Sequence, residues 1–338
     1  MIQGQEPAYT PVWFMRQAGR SQPKYREIKK THSLFDITRE PELCAYVTNL
    51  PVEEYGLDAA ILYKDIMSPM AAIGVEVKLV PGKGPVFERP IQRAADLDQI
   101  GTFDGSKVSY IADTIKLLTS EVLDVPLIGF CGGPFTIASY LVEGGPTKSY
   151  NKTRGLMVSQ ADLWDDLMNC LADMSIDYLS MQVEAGANAL QIFDSWIGAV
   201  SAEQYHAHIF SHMDKIISTM KAKYPHIPLA MNGVGNVHLV EEWGQLPIDV
   251  LALDWRCPID RLGQLGIDKV VQGNLDPAFL YAPVYVLDKE LDAIIEAGLR
   301  HGRHVFNLGH GVFPEADPAK LKYITEYVHE KSRALRAK

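Results

Sequence analysis

Short apolar runs alternate along the chain with longer stretches in which apolar residues recur every three or four positions. Runs at 58–63, 126–130, 189–193, 228–231, 250–253, 270–272 and 304–307 predict strands, and amphipathic stretches at 107–123, 156–184, 202–224 and 284–300 predict helices. Segments 75–80 and 85–88 offer an eighth strand or a hairpin excursion. Strands that alternate with helices imply a parallel sheet with crossover helices. Seven or eight such units in 338 residues fit a single-domain (β/α)8 TIM-type barrel over residues 1–338 better than a doubly wound sheet. The dinucleotide loop of the doubly wound alternative is missing, since Gly233-Val-Gly235 is only a fragment of GxGxxG.

A barrel concentrates its chemistry just beyond the C-terminal ends of its strands. Those positions read Lys64-Asp65, Cys131-Gly-Gly-Pro134, Asp194-Ser-Trp196, Asn232-Gly233, Asp254-Trp-Arg256, Gly273-Asn274 and Gly309-His-Gly311. Nearly every one is polar, charged or glycine, more than a purely structural barrel requires.

With 47% apolar and 22% charged residues the composition is that of an ordinary globular protein. No apolar run is long enough to cross a membrane, and the start, MIQGQEPAYTP, lacks the basic and apolar regions of a secretory signal. The expected location is the cytoplasm. Four scattered cysteines without a CxxC pair read as reduced thiols, and Cys131 as a small buried residue rather than a nucleophile. A net charge of −10 disfavours nucleic acid, and it requires that an anionic ligand meet a local cationic site.

Such a site is offered by Pro11–Arg20, PVWFMRQAGR. Arg16 and Arg20 stand four apart beside the apolar Trp13-Phe-Met15. In a helix both guanidiniums would share a face; in a loop opened by Gly19 a ligand would approach the backbone. Arginine suits bidentate capture of carboxylate or phosphate. Asp65 reads either as a carboxylate in the barrel mouth or as a helix N-cap. Tyr140, on an amphipathic stretch, reads by itself as a core residue. Ser195 lacks a GxSxG setting, which excludes hydrolysis and leaves an N-cap or a ligand contact. His310, between two glycines at a strand end, suits proton transfer or carboxylate binding. His206, His208 and His212 read as solvated rather than metal-binding.

PVWFMRQAGR followed by Pro23-x-Tyr25, Tyr63-Lys-Asp-Ile-Met67, Gly132–Gly145 (GGPFTIASYLVEGG), Gln191–Trp196 (QIFDSW) and FNLGHG with Pro314 resemble the signatures of the uroporphyrinogen decarboxylase family from about Pro11 onward. The resemblance implies loss of the four acetate carboxyls of uroporphyrinogen III, giving coproporphyrinogen III. It implies no cofactor and no metal, because a pyrrole protonated on carbon is its own electron sink. It casts Asp65 as the carboxylate facing the pyrrole nitrogens. Arg16 and Arg20 would hold substrate carboxylates together with Gln17, Ala18 and Gly19. Tyr140 would support the carboxylate and the substrate, Ser195 would donate to a carboxylate, Phe193 would pack on the macrocycle, and Phe35 would line the pocket. Arg16 and His310 are alternative proton donors. A homodimer with facing pockets is also implied.

GRSQPKY in place of GRYLPEY, and Lys64 in place of a serine, match a variant seen in Gram-positive members; Gly133 replaces a usual alanine, and 231–236 departs from the usual loop. The stretch before Pro11 is shorter than the family's leading helix, which leaves an upstream start or a dispensable helix as expectations. Three rivals stand beside this reading. A cobalamin-linked methyltransferase would need a His-x-Cys zinc pattern, which is absent. A Schiff-base lyase would use Lys64. A non-catalytic tetrapyrrole-binding barrel would bind without releasing CO2.

Overall fold

Seven parallel strands run side by side in the order β1 (Ala60–Ile61), β4 (Leu127–Gly132), β5 (Ala189–Asp194), β6 (Leu229–Gly233), β7 (Val250–Ala252), β8 (Val270–Gln272) and β9 (His304–Val305). The computed structural model describes residues 7–80 and 82–338; the short leading stretch, residues 1–6, lies outside them. Between β1 and β4 the chain makes an antiparallel hairpin, β2 (Lys78–Val80) with β3 (Gly84–Val86). The ambiguous segment 75–88 is therefore an excursion and not a stave.

The barrel is closed by the segment in front of Arg16. Val12 bridges Phe306 in parallel, Trp13 N donates to Phe306 O, and Phe306 N donates to Pro11 O. On the other edge Asp58 N donates to Val12 O, while the Asp58 carboxylate accepts from Val12 N at 2.7 Å. Alternation follows, as strand geometry requires. Trp13 and Met15 point into the barrel with Ile61, Ile128, Phe130, Phe193, Val250, Val270 and Val305. Val12 and Phe14 point outward into the core beneath the helices. Burying a side chain of that size contributes about 1.5–3 kcal/mol. Inside, Trp13 Nε1 donates to Gln272 Oε1 at 3.3 Å and Gln272 Nε2 to Gln191 Oε1 at 3.2 Å, a short chain of three side chains across the barrel.

Helices cover the outer face. Two of the long amphipathic stretches are each broken in two: Asn151–Ser159 gives way to Ala161–Glu184 across Gln160, and Ala202–His208 to Phe210–Lys223 across Ile209. The stretch 284–300 is one helix, Val284–His301. The segment 107–123 winds through a short 3-10 turn, the helix Ser109–Leu117 and a wider turn to Val122. No helix is long and apolar enough to cross a membrane among the described residues.

Candidate active site

Arg16 follows the closing segment, so it stands at the C-terminal mouth of the barrel with the other strand ends. Residues 14–22 form neither a helix nor an open loop but successive tight turns: Gln17 N donates to Phe14 O, and Gln22 N to Gly19 O. Arg16 itself lies in the left-handed region at φ 58°, a conformation that costs an L-residue about 1–2 kcal/mol. The turn persists because it is held on both sides. Met15 N donates to Asn307 Oδ1 at 3.0 Å, and Val312 N to Met15 O. Gln17 is fully buried; its amide oxygen accepts from Phe14 N and its amide nitrogen donates to Ala59 O. Its side chain is thus committed to the turn.

A cavity of about 570 Å³ opens here, lined by Arg16, Gln17, Ala18, Gly19, Arg20, Asp65, Tyr140, Phe193, Ser195 and His310. Tyr25, Leu34, Tyr63, Lys64, Pro85, Phe130 and Val312–Pro314 complete much of the wall. All the expected site residues except Phe35 meet in it. Phe35 turns away beneath the Arg39 guanidinium, 5.7 Å from the ring centre, and its neighbour Leu34 takes the lining position.

Asp65 lines the cavity and is not a helix N-cap: its Oδ1 accepts from Met67 N at 2.8 Å, one turn ahead of Ser68–Ile73, whose N-cap is Met67. No further bond of this carboxylate to the protein exists among the described residues. Burial raises its pKa above the usual carboxylate value, while Met67 N and the Arg16 charge pull it back. Neither Arg16 nor Arg20 is in an ion pair among the described residues, so both cations remain for a ligand.

Tyr140 sits on the helix Pro134–Glu143 and stacks on Trp196 at 4.1 Å between ring centres. Burial, then the Asp65 charge, pushes its pKa up to about 12. Ser195 caps no helix: the short turn after it starts at Trp196 without a side-chain cap. Behind Ser195 the fully buried Asp194 accepts from Thr136 N at 2.9 Å and Thr136 Oγ1 at 2.6 Å, and Thr136 Oγ1 accepts from Trp196 N. That network ties the end of β5 to the helix carrying Tyr140. A Cβ at Gly133 would collide with Asp194, so the glycine that replaces a usual alanine suits this packing.

His310 has its pKa lowered, first by burial and then by the Arg16 charge. Both causes favour the neutral imidazole. The Lys64 amino group is enclosed within hydrogen-bond distance of Phe130 O (2.6 Å), Tyr178 Oη (2.7 Å) and Gln182 Oε1 (3.1 Å), over the Phe130 and Tyr178 rings, and burial lowers its pKa well below the usual lysine value. The Cys131 thiol is pushed up to about 12 by burial and is no thiolate. The three histidines of the HxHxxxH run go to separate places. His206 meets Glu242, His212 meets Asp165, and the backbone oxygen of His208 accepts from Trp164 Nε1. No cluster of His, Cys, Asp or Glu suited to a metal occurs among the described residues.

The model of the family described as "Uroporphyrinogen decarboxylase (URO-D)" matches residues 1–331. The chain belongs to the uroporphyrinogen decarboxylase family. Relatives named uroporphyrinogen decarboxylase from two Staphylococcus aureus strains, USA300 / TCH1516 and JH9, are each 54% identical over 330 residues, 97% of this chain and 95% of theirs. Among solved structures, a methyltransferase from Methanosarcina mazei superposes with a TM-score of 0.78 at 20% identity, covering 98% of this chain and 96% of its own. A B12-independent methionine synthase from Shewanella sp. W3-18-1 gives 0.61 at 13% identity, covering 91% and 92%. At those identities the likeness is one of fold.

Tyr25 and Tyr63, which no strand end or spacing marks as cavity walls, belong to the family motifs Pro23-x-Tyr25 and Tyr63-Lys-Asp65.

Proposed function

We propose that this chain removes the four acetate carboxyls of uroporphyrinogen III to leave methyl groups, a step of haem biosynthesis, in a single barrel domain in the cytoplasm. The observation that carries the reading is the convergence of Asp65, Arg16, Tyr140, Phe193, Ser195 and His310 on one cavity. For each acetate, a proton adds to the ring carbon next to the one that bears it, and the pyrrole becomes cationic. The bond to the carboxyl carbon then breaks, its electron pair flows into the ring to leave an exocyclic methylene, and CO2 departs; a proton adds to that methylene and the ring proton leaves. Net uptake is one proton per CO2 released.

Asp65 stabilises the cationic ring. Burial disfavours its charge when the cavity holds no cation, and a cation forming against it reverses that penalty. A unit-charge contact at ~4 Å and an effective dielectric near 20 is worth about 4 kcal/mol, roughly three factors of ten in rate. Arg16 and Arg20 hold carboxylates of the substrate, Ser195 and Tyr140 donate hydrogen bonds, and Phe193 packs against the macrocycle. The neutral state of His310 suits a hydrogen bond better than proton delivery.

A homodimer is part of this reading. Tyr281, Val284 and Tyr285 are exposed, and Tyr281 stacks on Phe313 of the cavity wall. An apolar rim of this kind suits cover by a second copy, and sedimentation of the purified chain tests it.

The deciding experiment is anaerobic incubation with uroporphyrinogen III, with products resolved by carboxyl number. Hepta- through tetracarboxylate products are expected, and Asp65→Asn should lower turnover by about a thousandfold while sparing the fold. Binding without loss of carboxyl groups would leave the non-catalytic barrel as the better reading.

A further inference from the structure

Tyr25, in the helix Pro23–Ile28, and Tyr63, just beyond β1, bring their hydroxyls to 2.6 Å in the wall of the cavity. The rings meet edge to face with centres 5.6 Å apart. Apart from this contact both side chains are enclosed, Tyr25 at 6% and Tyr63 at 9% exposure.

Hydrogen counting gives the pair its meaning. Two hydroxyls carry two protons, and only one proton can lie between the oxygens. Neither hydroxyl has another protein partner among the described residues. Asp65, which is near enough to Tyr63 for its charge to be felt, accepts from Met67 N and from neither phenol. One O–H therefore has no acceptor in the protein, and the open side of both residues is the cavity. Two phenylalanines would fill the same wall without that unmet donor.

We propose that Tyr25 and Tyr63 together form a hydrogen-bond donor for a carboxylate of the bound ligand, beside Arg20. The proposal rests on the reading of the cavity as a polycarboxylate site. Three further features favour an anion. Arg20 is close enough for its charge to act on Tyr25. Burial raises the pKa of both phenols, so they stay protonated as donors. A phenol that accepts one hydrogen bond becomes a stronger donor of the next. The pair is also held in place, since Tyr63 N donates to Thr48 Oγ1 and Tyr63 O accepts from Cys44 Sγ.

The test is equilibrium binding of uroporphyrin III, the oxidised and unreactive octacarboxylate, followed by fluorescence. The proteins are wild type, Tyr25→Phe, Tyr63→Phe and the double variant. Affinity should fall roughly ten- to a hundredfold in the double variant, as for loss of a hydrogen bond to a charged group. It should fall equally in the one single variant that removes the outward-facing proton. The double variant should melt near wild type, because both partners become apolar together. Affinity in the double variant within about twofold of wild type, or no binding by wild type, overturns the proposal. Failure of wild type to release CO2 from uroporphyrinogen III instead sinks the decarboxylase reading, and the binding comparison stands apart from it.

Discussion

Arg16 occupies the space that a side chain at Gly311 would need. A Cβ at 311 would lie 2.5 Å from Arg16 Cδ and 2.8 Å from Cγ. The glycine beside His310 thus serves the guanidinium stem of a residue at the other end of the chain. Gly311→Ala should push Arg16 out of its left-handed turn and lower kcat/KM on uroporphyrinogen III by about a hundredfold. The melting temperature should change little, because the displaced group faces a cavity. Steady-state kinetics beside a thermal melt checks both parts.

His310 should be silent in the pH profile above neutrality. Its pKa is lowered by burial and by Arg16, so protonation sets in only below the usual histidine range. A fall of kcat/KM caused by its charging is expected on the acid side of about pH 6.5. At pH 7.5, His310→Asn replaces one neutral donor by another and should retain turnover within about tenfold of wild type. A thousandfold loss would return His310 to the role of proton donor.

Asp194 should cost stability at alkaline pH. Burial raises its carboxyl from 3.8 to about 6, so the folded chain binds this proton more tightly than the unfolded one. The contribution is full below the unfolded value and is lost as pH rises through about 6. The span corresponds to roughly 3 kcal/mol. Asp194→Asn keeps an oxygen for Thr136 and removes the charge, so it should raise the melting temperature at pH 8 and have little effect at pH 4. Melts across that range would decide it; equal shifts at both ends would count against the charge.

Asp58 should matter more to closure than its place just ahead of β1 suggests. Its carboxylate accepts from Val12 N, from Tyr9 Oη at 3.1 Å and from His329 Nε2 at 2.6 Å. Asp58→Ala leaves those donors without their acceptor and should destabilise the chain by about 2–4 kcal/mol. Denaturant unfolding measures the loss, and hydrogen exchange at Val12 should rise with it.

Seven of the staves were legible because each is a run of β-branched or large apolar residues bounded by turn formers. The closing segment 11–14 was not, because its pairing partners lie at 58 and 306 and no local pattern records them. Its arginines drew attention to chemistry, whereas its alternation carried the structure. The helix breaks at Gln160 and Ile209 escaped for the opposite reason: both residues suit a helix, and the apolar period runs on across them. Phe35 failed by one residue of helical phase, since at about 100° per residue Leu34 faces the cavity and Phe35 does not. Phe193 was legible only with the family motifs, whereas the spacing of Arg16 and Arg20 marked them unaided. Strand-end position by itself marked Asp65, Ser195 and His310, but left Tyr140 as an ordinary core tyrosine.

Closure by residues 11–14 also orders events during synthesis. Arg16 leaves the ribosome well before the Asn307 side chain that anchors its turn, which lies 292 residues downstream of Met15. Until Asn307 has emerged, Arg16 and Arg20 hang on a ribbon without the bonds that hold Met15 in its turn. The mouth of the barrel is therefore a late acquisition of the polypeptide, completed only when residues 306–312 come back to residues 11–15.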